Sequence, residues 1–133
     1  MSSGDLAEIF SSVQGEGLLV GYRQIFVRFC GCNLNCAYCD TPGSRLQAGT
    51  CRIQESPHQF SFRSVDNPVP VAAAVRSILH LELPLHHSIS LTGGEPLLQS
   101  ACVRELGKRC RGEGAKIYLE TKARPRYLIE RVL

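Results

Sequence analysis

The sequence predicts an α/β fold, a partial barrel of about three βα units with parallel strands. Three observations carry that reading. Short runs rich in β-branched and aromatic residues alternate three times with longer helical runs, the pattern of βαβ units with right-handed crossovers. The chain has 133 residues, 44% hydrophobic and 20% charged, enough for one core and too few for two. The residues most suggestive of chemistry fall at the ends of the three expected strands, where ligands gather in parallel α/β sheets.

Taken in order, Leu6–Phe10 reads as an extra edge strand leading into the glycine-rich Gln14–Gly17. Gln24–Cys30 (QIFVRFC) is the first strand of the alternation. Cys32–Asp40 is a loop, because Gly31, Asn33, Asn35 and Asp40 break any regular period. Residues 41–69 contain Pro42, Gly43, Gly49, Pro57, Asn67 and Pro68 and read as a long irregular loop or an insertion. Such a length inside a compact domain points to function. Val71–His80 is alanine-rich, apolar at helical spacing and opened by Pro70, so it reads as a helix. His87–Thr92 (HSISLT) is a second strand ending in the Gly93–Gly94 turn. Leu97–Arg111 is a second helix, closed by Gly112 and Gly114. Lys116–Thr121 (KIYLET) is the third strand, and Pro125–Leu133 begins a third helix. Residues 1–133 thus form a single domain.

The net charge is +3, from 15 basic and 12 acidic residues, too slight to announce a nucleic-acid or membrane partner. No stretch approaches 18 consecutive apolar residues, and the first twenty carry Asp5, Glu8 and Glu16 without an apolar segment. Neither a membrane span nor a secretory signal is expected, and the expected location is the cytoplasm.

The seven cysteines are an odd number, so they cannot all pair within one chain. Cys30, Cys32, Cys36 and Cys39 crowd ten positions, while Cys51, Cys102 and Cys110 are scattered. In a reducing compartment a tight cluster reads as metal binding or catalysis. The spacing Cys32-x3-Cys36-x2-Cys39 lets three thiolates wrap one face of an iron–sulfur cube, which normally takes four. One iron then lacks a protein ligand and can accept a substrate or cofactor. Zinc needs four donors, usually as two separated pairs. Its remote candidates here, Cys102 and Cys110, lie eight apart on an expected helix. An inert cluster of buried thiols is the third alternative.

Cys32-x3-Cys36-x2-Cys39, with aromatic Tyr38 before the last cysteine, resembles the signature of the radical S-adenosylmethionine (SAM) superfamily, and Gly93-Gly94-Glu95-Pro96 looks like its SAM-binding turn. Within that superfamily, RFCGCNLNCAYCDT, the QGEG at 14–17 and the LETK at 119–122 are similar to the 7-carboxy-7-deazaguanine synthase family. The resemblance runs from about Glu8 to the end of the chain.

It implies a radical SAM lyase built on a partial radical SAM barrel. Its substrate would be 6-carboxy-5,6,7,8-tetrahydropterin and its product 7-carboxy-7-deazaguanine, with loss of ammonia. Cys32, Cys36 and Cys39 would hold a [4Fe–4S] cluster whose open iron chelates the methionine end of SAM. Tyr38, Gly93, Gly94, Glu95 and Glu120 would bind SAM. Gln14, Gly15, Glu16, Gly17, Arg28 and Thr92 would bind the pterin, with Arg28 suited to a bidentate pair with its carboxylate. Thr41 would help place Mg²⁺, which favours hard oxygen donors. A reductant such as flavodoxin and a second copy of the chain are the implied partners.

Blander readings stand beside these. Gly15–Gly17 alone is a turn, Arg28 an outward-facing charge, Glu95 a first-turn carboxylate, and Thr41 before Pro42 the start of a turn. The chain also departs from the pattern. Lys122–Ala123 replaces the usual Asn-Gly, and three units are fewer than a full eight-unit barrel of about 250 residues. That shortfall leaves two further readings open: a truncated, non-catalytic iron–sulfur or SAM-binding module, or a small glycyl-radical activating enzyme.

Overall fold

The computed structural model describes residues 2–31 and 49–121. Along them run β1 (Ser3–Gly4), β2 (Leu6–Val13), β3 (Arg23–Phe29), β4 (Thr50–Ser56), β5 (Gln59–Asp66), β6 (Val69–Pro70), α1 (Val71–His80), β7 (Ser88–Gly93), α2 (Ser100–Gly112) and β8 (Ile117–Leu119). Six strands form one sheet in the order β5-β4-β2-β3-β7-β8, and β1 pairs separately with β6.

The expected parallel alternation is its centre. β3 pairs β7 in parallel over six positions, from Gln24↔Ser88 to Phe29↔Gly93, and β7 pairs β8 in parallel. The crossovers carry α1 and α2. α1 has the expected bounds and buries Val71, Ala74 and Ile78, one stripe at helical spacing. The second helical segment opens as a 3₁₀ turn over Pro96–Gln99 before α2. The helix expected over Pro125–Leu133 lies outside the described residues.

Two expectations are corrected. The Leu6–Phe10 strand is not at an edge. β2 extends to Val13 and lies between β3, antiparallel, and β4, parallel, with Leu6 and Ile9 fully buried in the core. The stretch read as an irregular 41–69 loop holds the antiparallel hairpin β4–β5 in its described part. In β4, Cys51 and Ile53 alternate inward past exposed Arg52, a period-two pattern that the surrounding prolines and glycines obscure.

Successive strand residues point to opposite faces. One face puts Ile9, Ile25, Val27, Phe29, Ile53, Ile89 and Leu91 into a single core with Val71, Ala74 and Ile78 of α1 and Val103 and Leu106 of α2. Each such side chain contributes about 1.5–3 kcal/mol when fully buried. The register carries Glu8, Phe10 and Ser12 of β2, Gln24, Phe26 and Arg28 of β3, and Ser88, Ser90 and Thr92 of β7 to the other face. That polar face and the strand ends above it hold the candidate site. No helix among the described residues is long and apolar enough to cross a membrane.

Candidate active site

The carboxyl ends of β3 and β7 are laced together. Gly94 N donates to Phe29 O at 2.9 Å, and Glu95 N donates to Gly31 O at 2.6 Å. Gly93 makes this approach possible. Its φ is +105°, and a Cβ there would lie 2.5 Å from Phe29 N and 2.7 Å from Phe29 O, contacts that only glycine avoids. The glycine turn therefore sits against the point where the cysteine-bearing segment leaves β3.

Glu95 is 1% exposed. Its Oε2 accepts from Leu97 N at 2.9 Å, capping the 3₁₀ turn, and from Thr121 Oγ1 at 2.6 Å beyond β8. This one carboxylate joins the ends of β7 and β8. Glu95→Ala is expected to cost about 2–3 kcal/mol, a lost cap together with the lost hydrogen bond from Thr121 to a carboxylate. Urea unfolding read by far-UV circular dichroism checks this, and a loss below about 0.5 kcal/mol is the contrary result.

Gln14 anchors a second group. It is 4% exposed, at the end of β2, where its backbone pairs with Gly21 and Tyr22. Its Oε1 accepts from Gly15 N at 3.1 Å and Glu16 N at 3.3 Å. Its Nε2 donates to Gln24 Oε1 at 2.8 Å and Glu120 Oε2 at 3.4 Å. The amide's two acceptor and two donor positions are thus engaged inside the protein, and its structural role is to hold the 15–17 loop. Gly17, at φ +76°, sits where a Cβ would come within 3.0 Å of the Tyr118 hydroxyl, so the loop lies over β8. Glu16 is exposed.

Glu120 Oε2 also accepts from Ser90 Oγ at 2.7 Å. The structure therefore groups Glu120, expected among the SAM-binding residues, with Gln14 of the pterin-binding set. Its neighbour Thr121 goes to Glu95 instead.

Arg28 lies on the polar face, its Nε 3.4 Å from Glu8 Oε1 and its guanidinium 5.6 Å from the centre of the Phe10 ring. Glu8 also meets Arg52 at 3.3 Å, and Arg52 lies 4.2 Å over the Phe62 ring. A carboxylate between two guanidiniums, each backed by an aromatic face, limits how far either can swing. Thr92 is the register partner of Arg28 on β7 and stands beside it on this face.

Cys32, Cys36, Cys39, Tyr38 and Thr41 lie outside the described residues, as do Lys122 and Ala123. Among the described residues no group of three His, Cys, Asp or Glu side chains could hold a metal ion. Cys30, Cys51, Cys102 and Cys110 are buried cysteines outside any disulfide. Burial pushes the Cys51 thiol up to about 12, and those of Cys102 and Cys110 to about 11.

Sequence reasoning missed Glu8, Gln24, Ser90 and Gln99. Gln99 Nε2 donates to Cys30 O at 3.1 Å, tying the exit of β3 to the start of α2. The available signal was period two: Ser88, Ser90 and Thr92 alternate with Ile89 and Leu91, and Gln24 and Arg28 share a phase in β3. Both patterns mark a polar face on an otherwise apolar sheet.

Residues 26–131 match the Radical SAM superfamily. Over 120 residues the chain is 48% identical to a 7-carboxy-7-deazaguanine synthase of Geobacter sulfurreducens, covering 88% of this chain and 47% of that protein. It is 50% identical over 101 residues to a 7-carboxy-7-deazaguanine synthase of Methanothermobacter thermautotrophicus, covering 76% of this chain and 34% of that one. Its fold is similar to the crystal structure of QueE from Escherichia coli, with a TM-score of 0.60 at 22% identity, covering 87% of this chain and 50% of that chain. The chain spans about half the length of these relatives, or less.

Proposed function

The chain belongs to the radical SAM superfamily, whose cofactors are a [4Fe–4S] cluster and SAM, and from that premise we propose that it acts as a 7-carboxy-7-deazaguanine synthase. On this reading it is a carbon–nitrogen lyase that contracts 6-carboxy-5,6,7,8-tetrahydropterin to 7-carboxy-7-deazaguanine with loss of ammonia.

One observation carries the reading. The Gly93–Glu95 turn is hydrogen-bonded to Phe29 and Gly31, beside the start of the Cys32-x3-Cys36-x2-Cys39 segment, while the Gln14–Gly17 loop meets β8 on the neighbouring face. The turn closes the carboxyl ends of β3 and β7, while the loop starts at their opposite ends and reaches back over the polar face to Tyr118 and Glu120. On this reading cofactor turn and substrate loop border one face of the sheet. The donor set fits the groups. Three cysteines within eight positions suit a cube with one open iron, and the Glu95 carboxylate suits the ammonium of a methionine.

When bound, the reduced cluster and SAM supply one-electron cleavage of the sulfonium and a carbon-centred radical. The chain's own residues bind and orient. Gly93 and Gly94 let the backbone come close to SAM, and Glu95, held by Leu97 N and Thr121, pairs with its amino group. Arg28, steadied by Glu8, faces the pterin carboxylate. Gln14 holds Gly15–Gly17 against the ring, with Glu16 and Glu120 meeting its polar edges and Thr92 beside Arg28. Tyr38 would contact the adenine, and Thr41 would offer a hydroxyl oxygen to Mg²⁺. A flavodoxin-type reductant, a homodimeric state and a cytoplasmic location complete the proposal.

Anaerobic reconstitution with iron and sulfide tests it. The expected result is about four irons per chain, and 5′-deoxyadenosine and 7-carboxy-7-deazaguanine formed only with SAM, reductant and carboxytetrahydropterin together. A cluster that never cleaves SAM supports the non-catalytic module instead. Cleavage indifferent to the pterin supports a different radical enzyme. Failure to take up iron overturns the cluster assignment.

A further inference from the structure

We propose that Gln24 is a positioning residue: with Ser88 behind it, it locks the amide of Gln14 in one orientation and so shapes the Gly15–Gly17 loop. The inference rests on the reading of residues 14–17 as the substrate loop.

Gln24 has no solvent exposure, and Ser88 is only 4% exposed. Buried polar groups of this kind persist only when satisfied. Gln24 Oε1 accepts from Gln14 Nε2 at 2.8 Å, and Gln24 Nε2 donates to Ser88 Oγ at 2.7 Å. The Ser88 hydroxyl in turn lies 2.9 Å from His87 Nδ1.

The orientations in this chain are not free. The amides of Gly15 and Glu16 can only donate, so Gln14 must turn Oε1 toward them and Nε2 away. Nε2 then requires an acceptor at position 24, which Gln24 provides only while its own Nε2 points at Ser88. The dependence runs in both directions. Removing the acceptor at 24 leaves a buried N–H of Gln14 unmatched, and turning the amide to relieve it sets Nε2 against the N–H groups of 15 and 16. The parallel register Gln24↔Ser88 puts the two side chains side by side, so β7 supports, through β3, the residue at the end of β2 from which the loop springs.

The test uses Gln24→Met, close in shape and without polar ends, and Gln24→Glu. In its protonated form the glutamate restores an acceptor and a donor. Amide hydrogen exchange of the cluster-free chain, read by NMR, should quicken about tenfold at Gly15 and Glu16 in Gln24→Met, the loss of one hydrogen bond's worth of protection. Core amides at Ile89 and Leu91 should exchange as before. Binding of 6-carboxypterin, measured by calorimetry, should weaken about tenfold in Gln24→Met and recover toward the parent in Gln24→Glu. If Gln24→Met does not fold, Ser88→Ala, which removes one hydroxyl, should show the same pattern at about threefold. Unchanged exchange at Gly15 and Glu16 overturns the proposal, as does quickening spread evenly over the sheet. A parent chain that ignores carboxypterin defeats the substrate reading alone, and the exchange data still decide what Gln24 does.

Discussion

Gly93→Ala is expected to remove about 3–5 kcal/mol of stability and, with it, the seating of the Gly93–Glu95 turn. Two costs add. The first is conformational: at φ +105° an L-residue sits in backbone space that only glycine occupies comfortably, a penalty of about 1–3 kcal/mol. The second is steric. The new Cβ would meet Phe29 N at 2.5 Å and Phe29 O at 2.7 Å, as well as Arg28 Cγ at 2.4 Å. A side-chain carbon can move aside, but Phe29 is fixed in the β3–β7 ladder and fully buried. The turn must therefore lift away, taking Gly94 N from Phe29 O and Glu95 N from Gly31 O. Typical domains have only about 5–15 kcal/mol in total, so the variant stands near its unfolding threshold.

Gly107→Ala is the matched control. It lies inside α2 with nothing within 4 Å of a built Cβ, so alanine there should stabilise by about 0.5–1 kcal/mol through helix propensity. Urea midpoints for the two variants should move in opposite directions. A Gly93→Ala midpoint within about 0.5 kcal/mol of the parent contradicts the close approach.

Gly93 also shows what the sequence makes legible. A glycine pair after an apolar run marks a strand end and a tight turn by its residue types alone, and the cysteine spacing carries its chemistry in the same way. β3, α1 and β7 fall where expected because each is a short segment with its own period. Pairing is harder to read, because it depends on partners remote in sequence. Leu6–Phe10 has the composition of a strand, but nothing within it says that both edges are covered. Cys51 and Ile53 mark a buried strand face only once β2 lies beside them. Glu120 and Thr121 are adjacent, yet one serves Gln14 and the other Glu95. That division follows from how β8 packs beside β7, not from the letters ET. Gln24 resembles a stray polar residue in an apolar run until Gln14 and Ser88 are placed on either side of it.

Alkaline pH is expected to unfold the cluster-free chain cooperatively between about pH 9 and 11, through the buried thiols of Cys51, Cys102 and Cys110. Desolvation is the largest cause of the raised values at Cys51, Cys102 and Cys110, from 9.0 to about 12, 11 and 11; nearby negative charge adds to each. The sign follows from which state holds the proton. Above pH 9 the unfolded chain releases these protons while the folded chain keeps them, so the unfolded state gains with every further unit of pH. Stability is fully present below pH 9, and it is lost as pH rises toward 11 for Cys102 and Cys110 and toward 12 for Cys51. Each thiol contributes a slope of up to about 1.4 kcal/mol per pH unit, and the three together about 4. Integrated from pH 9 to 11 the loss is about 6 kcal/mol, comparable with the lower end of the stability typical of domains this size. Cys51→Ala separates these thiols from the lysines and tyrosines that also titrate in this range. It should be less stable than the parent at pH 8, having lost a buried sulfur, yet its stability should decline about one-third less steeply from pH 9 to 11. Urea unfolding at half-unit intervals of pH, under reductant, gives both slopes. Parallel slopes for the two chains mean that Cys51 is not held protonated in the core.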